Sequence, residues 1–109
     1  MEYIYIIHNP AFAGCYKVGK CTDFKKRMSG YQTGDPFRRY EYIYLAMVED
    51  GRVIEDDVAA HFEDFLAIPG HEWYKATRNN TEPKKALLKS LVERIETSYG
   101  FVRSIINEI

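Results

Sequence analysis

The sequence predicts a single α+β domain, with a small antiparallel sheet flanked by three or more helices. Short runs of β-branched and aromatic residues, separated by Pro and Gly, are typical of strands joined by tight turns. Three other segments carry apolar residues at helical spacing. A chain of 109 residues, 46% of them apolar, has the length of one domain. We therefore expect residues 1–109 to form one domain, with a core over about 3–75 and a C-terminal helical segment over about 82–109.

The N-terminal segment predicts a β-hairpin. Residues 3–8 and 15–20 alternate in the manner of strands, and Pro and Gly lie in the turn between them. Side chains of one parity are expected to face the core, namely Ile4, Ile6, Tyr16 and Val18. Tyr5, Lys17 and Gly19 have the other parity, and we expect them to face away from the core together.

The remaining chain predicts alternating helices and strands. Phe24, Met28 and Tyr31 follow i, i+4, i+7 spacing, which gives the first helix an inward stripe. The apolar tail, residues 101–109, is expected to pack on the core or to contact a partner. The predicted elements after the hairpin are a helix from Thr22 or Asp23 to about Gln32, a strand over 39–48, a helix over 52–66, a possible short strand over 72–74 and a helix starting near Glu82.

Charge is unevenly distributed along the chain. The formal net charge is −1, which argues against a uniformly basic nucleic-acid binder. Residues 1–40 nevertheless carry seven Lys/Arg and three Asp/Glu, whereas residues 41–74 carry one and nine. Residues 75–109 are basic again, with seven Lys/Arg and four Asp/Glu. This separation predicts a basic face and an acidic face on a near-neutral protein, with scattered surface charge as the alternative.

Composition also bears on the compartment. The sequence contains no apolar run of membrane-spanning length and no recognisable signal peptide. Cys15 and Cys21 form no CxxC motif, so the expected state is reduced and cytoplasmic, or nuclear if the source is eukaryotic.

The order and spacing of several fragments resemble the GIY-YIG nuclease superfamily, and in particular its short branch found in phage and in meiosis-associated proteins. The resemblance covers about residues 3–75. Tyr3 stands where the first family motif has glycine, and a later family asparagine has no clear match. The matching residues are Tyr3-Ile-Tyr5, Tyr16-Lys-Val-Gly-Lys20, Lys26-Arg27, Tyr31, Glu55 and Glu72-Trp-Tyr74.

The resemblance implies a set of catalytic residues. The tyrosine of the first motif falls on Tyr5, and the tyrosine of the second falls on Lys17, as in some similar nucleases. The catalytic arginine falls on Arg27, the residue four positions on is Tyr31, and the metal-binding glutamate falls on Glu55. Tyr16 is the competing choice for the second tyrosine, although its predicted core face counts against it.

Elementary chemistry suits this set. Tyrosine has a pKa of about 10, so it needs a nearby cation such as Lys17 to act as a base. Arg27 is suited to bidentate phosphate contacts, with Tyr31 beside it on the same helix. Glu55 offers a hard oxygen ligand for Mg²⁺ or Mn²⁺, although an acidic residue near a helix start also favours the helix dipole.

The expected function is divalent-metal-dependent hydrolysis of DNA phosphodiester bonds, with RNA left open. The alternative is a catalytically inactive nucleic-acid-binding or protein-interaction module on the same fold. A third possibility is assembly, as a homo-oligomer or with a protein partner, through the C-terminal segment. Basic residues expected to contact the phosphate backbone are Lys20, Lys25, Lys26, Arg38 and Arg39.

Overall fold

Five strands and three helices make up the part of the chain that the computed structural model describes, residues 2–12, 14–67, 72–75, 84–99 and 103–106. Short 3-10 helices at Pro10–Phe12 and Glu63–Phe65 complete these elements. The elements in chain order are β1 (Glu2–His8), β2 (Cys15–Cys21), α1 (Phe24–Thr33), β3 (Glu41–Val48), α2 (Gly51–His61), β4 (Trp73–Lys75), α3 (Lys84–Tyr99) and β5 (Arg103–Ile106).

The strands form one antiparallel sheet in the order β4-β2-β1-β3-β5, with β1 at its centre. The four residues from Ile4 to Ile7 are fully buried, because helices cover both faces of this strand. The predicted hairpin is confirmed, and Tyr5 lies opposite Gly19 in its register. The predicted short strand is β4, which pairs with the first half of β2.

Local side chains set where the first two helices begin. Asp23 is the N-cap of α1, and its carboxylate accepts a hydrogen bond from the Lys26 amide at 3.0 Å, as expected from the sequence. Asp50 caps α2 in the same way, which starts that helix at Gly51. The predicted helix over 52–66 is shorter than expected, because α2 ends at His61 and a 3-10 turn follows it.

An aliphatic core lies between one face of the sheet and helices α2 and α3. The bidentate ion pair between Arg94 and Asp57, at 2.8 and 2.9 Å, links the two helices at its edge. The predicted core face of the hairpin is confirmed here. Buried residues of this aliphatic core include Ile4, Ile6, Tyr16, Val18, Tyr44, Ala46, Ile54, Val58, Leu87, Leu88, Leu91 and Ile95.

The opposite face of the sheet carries a second cluster, which corrects the expectation that Tyr5 faces away from the core. Helix α1 covers this face with its predicted Phe24, Met28 and Tyr31 stripe, so the Tyr5 side chain is fully buried. The sequence shows only that the two parities differ, and not that a helix covers each face. We call this set the aromatic cluster: Tyr5, Ile7, Cys21 and Leu45, with Tyr3, Phe24, Met28, Tyr31, Tyr40 and Tyr42 packed against them.

The C-terminal segment contains a helix and a strand. Helix α3 confirms the predicted helix, although its expected start near Glu82 lies outside the described residues. Part of the apolar tail forms β5, whose backbone pairs with β3. A partner contact through this segment stays a prediction. In the described part of the chain, no helix combines the length and the apolar character needed to cross a membrane.

Candidate functional site

Three of the five predicted catalytic residues meet at the end of the aromatic cluster. The hydroxyl oxygens of Tyr5 and Tyr31 lie 2.7 Å apart, and Arg27 donates a hydrogen bond from its guanidinium to the Tyr5 oxygen at 3.3 Å. Tyr5 comes from the central strand, whereas Arg27 and Tyr31 lie one turn apart on α1. The helix therefore brings an exposed cation and a half-buried phenol to the hydroxyl of a buried phenol.

Gly19 is the reason that the Tyr5 ring can occupy this position. A Cβ atom on Gly19 would lie 2.4 Å from both Cζ and the hydroxyl oxygen of Tyr5. Tyr42 also packs edge-on against the Tyr5 ring, with 5.4 Å between centroids. The strand thus leaves room for one aromatic ring, which is held with its hydroxyl directed at Arg27 and Tyr31.

The environment of Tyr5 differs from the one expected for a base. Burial, together with the hydrogen bond to Tyr31, raises the pKa of Tyr5 well above its usual range, and nearby Arg27 opposes this only in part. The expected lowering of this pKa by Lys17 is wrong, since the cation that faces the phenol is Arg27. Tyr5 is consequently a neutral phenol at physiological pH.

Lys17 makes a different set of contacts. Its ammonium nitrogen lies 3.3 Å from the Glu72 carboxylate and 6.0 Å from the centre of the Trp73 ring. The backbone amide of Val18 also donates to the Glu72 carbonyl at 3.1 Å. Lys17 is therefore oriented by the segment that leads into β4. Tyr16 lies in the aliphatic core, as its parity predicts.

Glu55 lies on α2, which packs on the face of the sheet opposite α1. Burial raises the pKa of Glu55, the charge of Glu72 adds to this, and Lys20 and Lys17 oppose it. Its charged neighbours are thus the lysines of β2 and Glu72, rather than Tyr5 and Arg27. A carboxyl group whose pKa is shifted by burial and by specific charged neighbours is a candidate functional residue.

The donor set available to a metal is small. In the described ranges no group of three or more His, Cys, Asp or Glu side chains is arranged to hold a metal ion. Mg²⁺ commonly takes only one or two carboxylates, with water and substrate phosphate completing the shell. Glu55 fits that pattern as a single protein ligand, whereas Glu72 is engaged with Lys17.

Strand β2 lies between the two groups of predicted site residues. Tyr5 stands against Gly19, while Lys17 and Lys20 on either side of that glycine are the basic neighbours of Glu55. Strand β4 pairs only with residues Cys15 to Lys17 of β2. The later part of β2 therefore forms an edge of the described sheet, with the tyrosines on one side and the acidic residues on the other.

A groove of about 580 Å³ opens beside Arg27 and Tyr31. The last residue of β2, Cys21, and the connection at Thr22 and Asp23 form one wall, and α1 forms the other. Lys26 and Gly30 line the helical wall together with the two predicted catalytic residues. The groove is therefore open, carries two basic side chains and one acidic side chain, and leads to the hydrogen-bonded tyrosines.

The predicted phosphate-contacting residues fall into three places. Lys20 is a neighbour of Glu55 and lies 3.8 Å from a Glu2 carboxylate oxygen. Lys25 and Lys26 are exposed on α1, and Lys26 lines the groove. Arg38 and Arg39 are exposed on the loop between α1 and β3. Basic residues thus extend along α1 and into the loop that follows it.

Residues that sequence reasoning missed are the ones that hold the predicted side chains in place. Glu72 belongs to a segment that matches the family, but its pairing with Lys17 carried no signal, because a contact across 55 residues has no local pattern. Tyr42 belongs to the alternating pattern of β3, but that pattern does not show that helix α1 covers its face of the sheet. Its hydroxyl donates to the Phe24 carbonyl at 2.6 Å and so joins the sheet to the first turn of α1.

Comparison with known proteins places the chain in one family. Neither the curated proteins nor the solved structures gave a match. The family model of the T5orf172 domain, which is associated with endonuclease-like proteins, matches residues 2–96 and so includes all five predicted catalytic positions. The chain belongs to the T5orf172 domain family.

Proposed function

We propose that this domain is a GIY-YIG-type endonuclease that hydrolyses DNA phosphodiester bonds with Mg²⁺ or Mn²⁺. The observation that carries the proposal is the convergence of Arg27, Tyr31 and Tyr5 beside an open groove that Lys26 also lines. The association of the T5orf172 family with endonuclease-like proteins supports the same class of reaction.

Arg27 and Tyr31 are the residues that we assign to the scissile phosphate. The Arg27 side chain is exposed, and the groove gives both residues access to a bound strand. A guanidinium can donate to two phosphate oxygens and stabilise the charge that develops on them. The Tyr31 hydroxyl is placed to donate a hydrogen bond to the attacking water or to the phosphate.

Hydrolysis forms a bond between a water oxygen and phosphorus and breaks the bond from phosphorus to a sugar oxygen. The net proton movement is from the water to that leaving oxygen, through solvent in the groove. Because Tyr5 is enclosed and neutral, we assign to it the positioning of Tyr31 and Arg27 rather than the role of a free phenolate. Its two hydrogen bonds hold both side chains toward the groove.

Glu55 is the residue that we assign to the metal. A bound Mg²⁺ or Mn²⁺ would supply positive charge to the phosphate and favour an ionised water. The positive neighbours Lys17 and Lys20 oppose the raised pKa of Glu55 and so favour its carboxylate. We place DNA across the edge formed by the later part of β2, between Glu55 and α1. Contacts to the phosphate backbone are expected from Lys20 beside Glu55 and from Lys25, Lys26, Arg38 and Arg39 on α1 and the loop that follows it.

The test is nicking of a supercoiled plasmid with Mg²⁺ or Mn²⁺. We expect Arg27→Ala and Glu55→Gln each to reduce the rate by about 100-fold or more, the scale for loss of one charge-stabilising group. Arg52→Ala and Glu63→Gln are matched controls, because both side chains are exposed on or just after α2. Equal activity of Arg27→Ala, Glu55→Gln and the wild type would identify a contaminating nuclease and overturn the proposal.

A non-catalytic nucleic-acid-binding module is the second candidate function. The enclosed Tyr5 hydroxyl and the engagement of Lys17 with Glu72 favour it, because neither group is free to act on a water molecule. This candidate predicts binding without cleavage at any metal concentration, with an affinity that falls steeply as salt rises. Metal-dependent nicking that is lost in Arg27→Ala would contradict it.

A further inference from the structure

The loop between α1 and β3 is built around one buried carboxylate. Asp35 is only 7% exposed, and its Oδ2 accepts hydrogen bonds from the Arg39 amide and the Asn9 side chain, both at 2.8 Å. Its Oδ1 accepts from the Phe37 amide at 2.9 Å. These donors lower the pKa of Asp35, so the carboxylate is charged at neutral pH and joins the loop to the hairpin turn.

A second clamp holds the far end of the same loop. The Gln32 side chain donates to the Tyr40 carbonyl at 2.7 Å and accepts from the Tyr40 amide at 3.1 Å. The Arg38 amide also donates to the Asp35 carbonyl at 3.0 Å. The backbone from residue 35 to residue 40 is therefore held at both ends and in the middle.

This well-held loop carries two features that folding alone does not favour. Arg38 has a φ of 51°, a left-handed conformation that is costly for a residue with a side chain. Phe37 is 73% exposed, the largest exposure among the large apolar side chains of the described residues. Strain at one residue and an apolar ring in solvent at the next are typical of a contact built for a ligand.

The charges around Phe37 indicate the chemistry of that ligand. The Arg39 guanidinium lies 5.0 Å from the centre of the Phe37 ring, and Arg38 is exposed beside it. The negative charge of Asp35 is directed at amide donors within the loop. The loop thus presents an exposed apolar ring with the Arg39 guanidinium near it and Arg38 between the two in the chain, which complements a partner with flat rings and regular negative charge. A nucleic acid strand with an unstacked base has both properties.

The loop is also attached to the candidate site. Its last residue, Tyr40, packs against the Tyr31 ring with 5.3 Å between centroids, and Tyr31 is hydrogen-bonded to Tyr5. A strand that crosses the groove beside α1 and continues over this loop would carry its bases past Phe37. The loop therefore adjoins the site through the contact between Tyr40 and Tyr31.

We propose that Phe37 stacks on an unpaired base next to the scissile phosphate, with Arg38 and Arg39 on the flanking phosphates. The adjacency to a scissile phosphate rests on the proposed function, whereas stacking on an unpaired base does not. The proposal makes the substrate a single strand or a locally unpaired region, since bases within an intact duplex are already stacked. Phe37 is then the residue that distinguishes unpaired from paired DNA.

The test is binding of a fluorescent oligothymidine and of a matched duplex, in EDTA so that cleavage cannot interfere. Stacking of one base contributes about 1–3 kcal/mol, so we expect Phe37→Ala to weaken single-strand binding by roughly 5- to 150-fold. Duplex binding should change by no more than about twofold. Phe37→Trp should restore single-strand affinity, and its added fluorescence should be quenched on binding. Val53→Ala, at an exposed apolar residue of α2, is the control and should bind as the wild type does.

Salt dependence separates the ring from the cations. Arg39→Ala should reduce the slope of log affinity against log salt by about 0.7 for one lost single-strand phosphate contact. Phe37→Ala should leave that slope unchanged, because it removes no charge. Single-strand affinity unchanged in Phe37→Ala, or lost equally for the duplex, would overturn the stacking proposal.

The nicking assay keeps this inference distinct from the proposed function. If Arg27→Ala abolishes nicking while Phe37→Ala binds single strands normally, the endonuclease stands and the stacking contact fails. If no variant or wild type nicks DNA while Phe37→Ala still loses single-strand binding, the endonuclease fails and the stacking contact stands.

Discussion

The two faces of the sheet are covered by different kinds of side chain. Under α2 and α3 the aliphatic core is closed, and residues such as Val58, Leu91 and Ile95 are completely buried. Under α1 the aromatic cluster is only partly closed, and its rings carry hydroxyl groups that end beside an exposed arginine and a groove. Aliphatic packing gains stability from burial alone, whereas buried phenols also need hydrogen-bond partners.

This difference assigns separate tasks to the two faces. The aliphatic core includes three tyrosines, Tyr16, Tyr44 and Tyr74, but most of its side chains are apolar throughout, so packing dominates there. The aromatic cluster must hold Tyr5 and Tyr31 at one geometry, and it does so through edge-on ring contacts at 5.4 to 6.2 Å and through hydrogen bonds. We expect mutations in the aliphatic core to change stability first and mutations in the aromatic cluster to change activity first.

The largest expected effect is loss of stability in the aliphatic core. Leu91 is fully buried on α3, so Leu91→Ala should reduce the free energy of unfolding by about 2–5 kcal/mol. Lys89→Ala, at an exposed position of the same helix, should change it by less than about 0.5 kcal/mol. Urea denaturation followed by circular dichroism measures both. Similar values for the two variants would mean that α3 does not stabilise the fold.

Gly19 should show an intermediate effect on the other face. Gly19→Ala places a methyl group against the Tyr5 ring and should lower the free energy of unfolding by about 1–3 kcal/mol while displacing the Tyr5 hydroxyl. Gly30→Ala meets no atom within 4 Å and should raise it by about 0.5–1 kcal/mol, because alanine favours the helix. In thermal denaturation we expect Gly19→Ala to lower the midpoint temperature and Gly30→Ala to raise it. Equal shifts would show that the Tyr5 ring is not tightly held.

The smallest effect should be a change in how the free energy of unfolding depends on pH above pH 10. Burial raises the pKa of Tyr42 in the aromatic cluster above the usual tyrosine value near 10. Burial also raises the pKa of Tyr74 in the aliphatic core, to about 12. A raised pKa keeps these phenols neutral in the folded state. Their contribution to stability is therefore complete below pH 10 and is lost as pH rises through the folded-state values.

Tyr42→Phe tests this pH dependence. The variant should lose about 1 kcal/mol at pH 8 with its hydrogen bond to the Phe24 carbonyl. Its free energy of unfolding should then fall less steeply than that of the wild type between pH 10 and 12, because one titrating phenol is gone. Denaturant titrations at pH 8, 10 and 11 measure the difference in free energy of unfolding between the wild type and Tyr42→Phe. Lysine titration cancels in this difference, because both proteins have the same lysines. A steeper fall in the variant would contradict the assignment.

Local patterns were sufficient for most of the architecture. Period-two alternation predicted the hairpin, and the Phe24, Met28 and Tyr31 stripe predicted the inward face of α1. The start of α1 was predicted at Thr22 or Asp23, and Asp23 is its N-cap. These features depend on neighbours within a few residues, where steric preference and hydrogen bonding to the local backbone dominate. The Asp35 hydrogen bonds to the amides at 37 and 39 belong to the same class, since Asp before a turn commonly bonds its own backbone.

The order of the residues therefore specified most of the helices and strands, which parity of each strand is apolar and which five side chains resemble a nuclease set. It did not specify β5, since the apolar tail was expected only to pack on the core or to contact a partner. The sequence could not specify which helices pack on each face of the sheet, which residue pairs with Lys17 or that the Tyr5 side chain is buried. Those depend on packing between segments up to 55 residues apart, as for Lys17 and Glu72. Burial and charge then set the protonation of the phenol, because desolvation comes from every segment packed around a group and not from its neighbours in the chain.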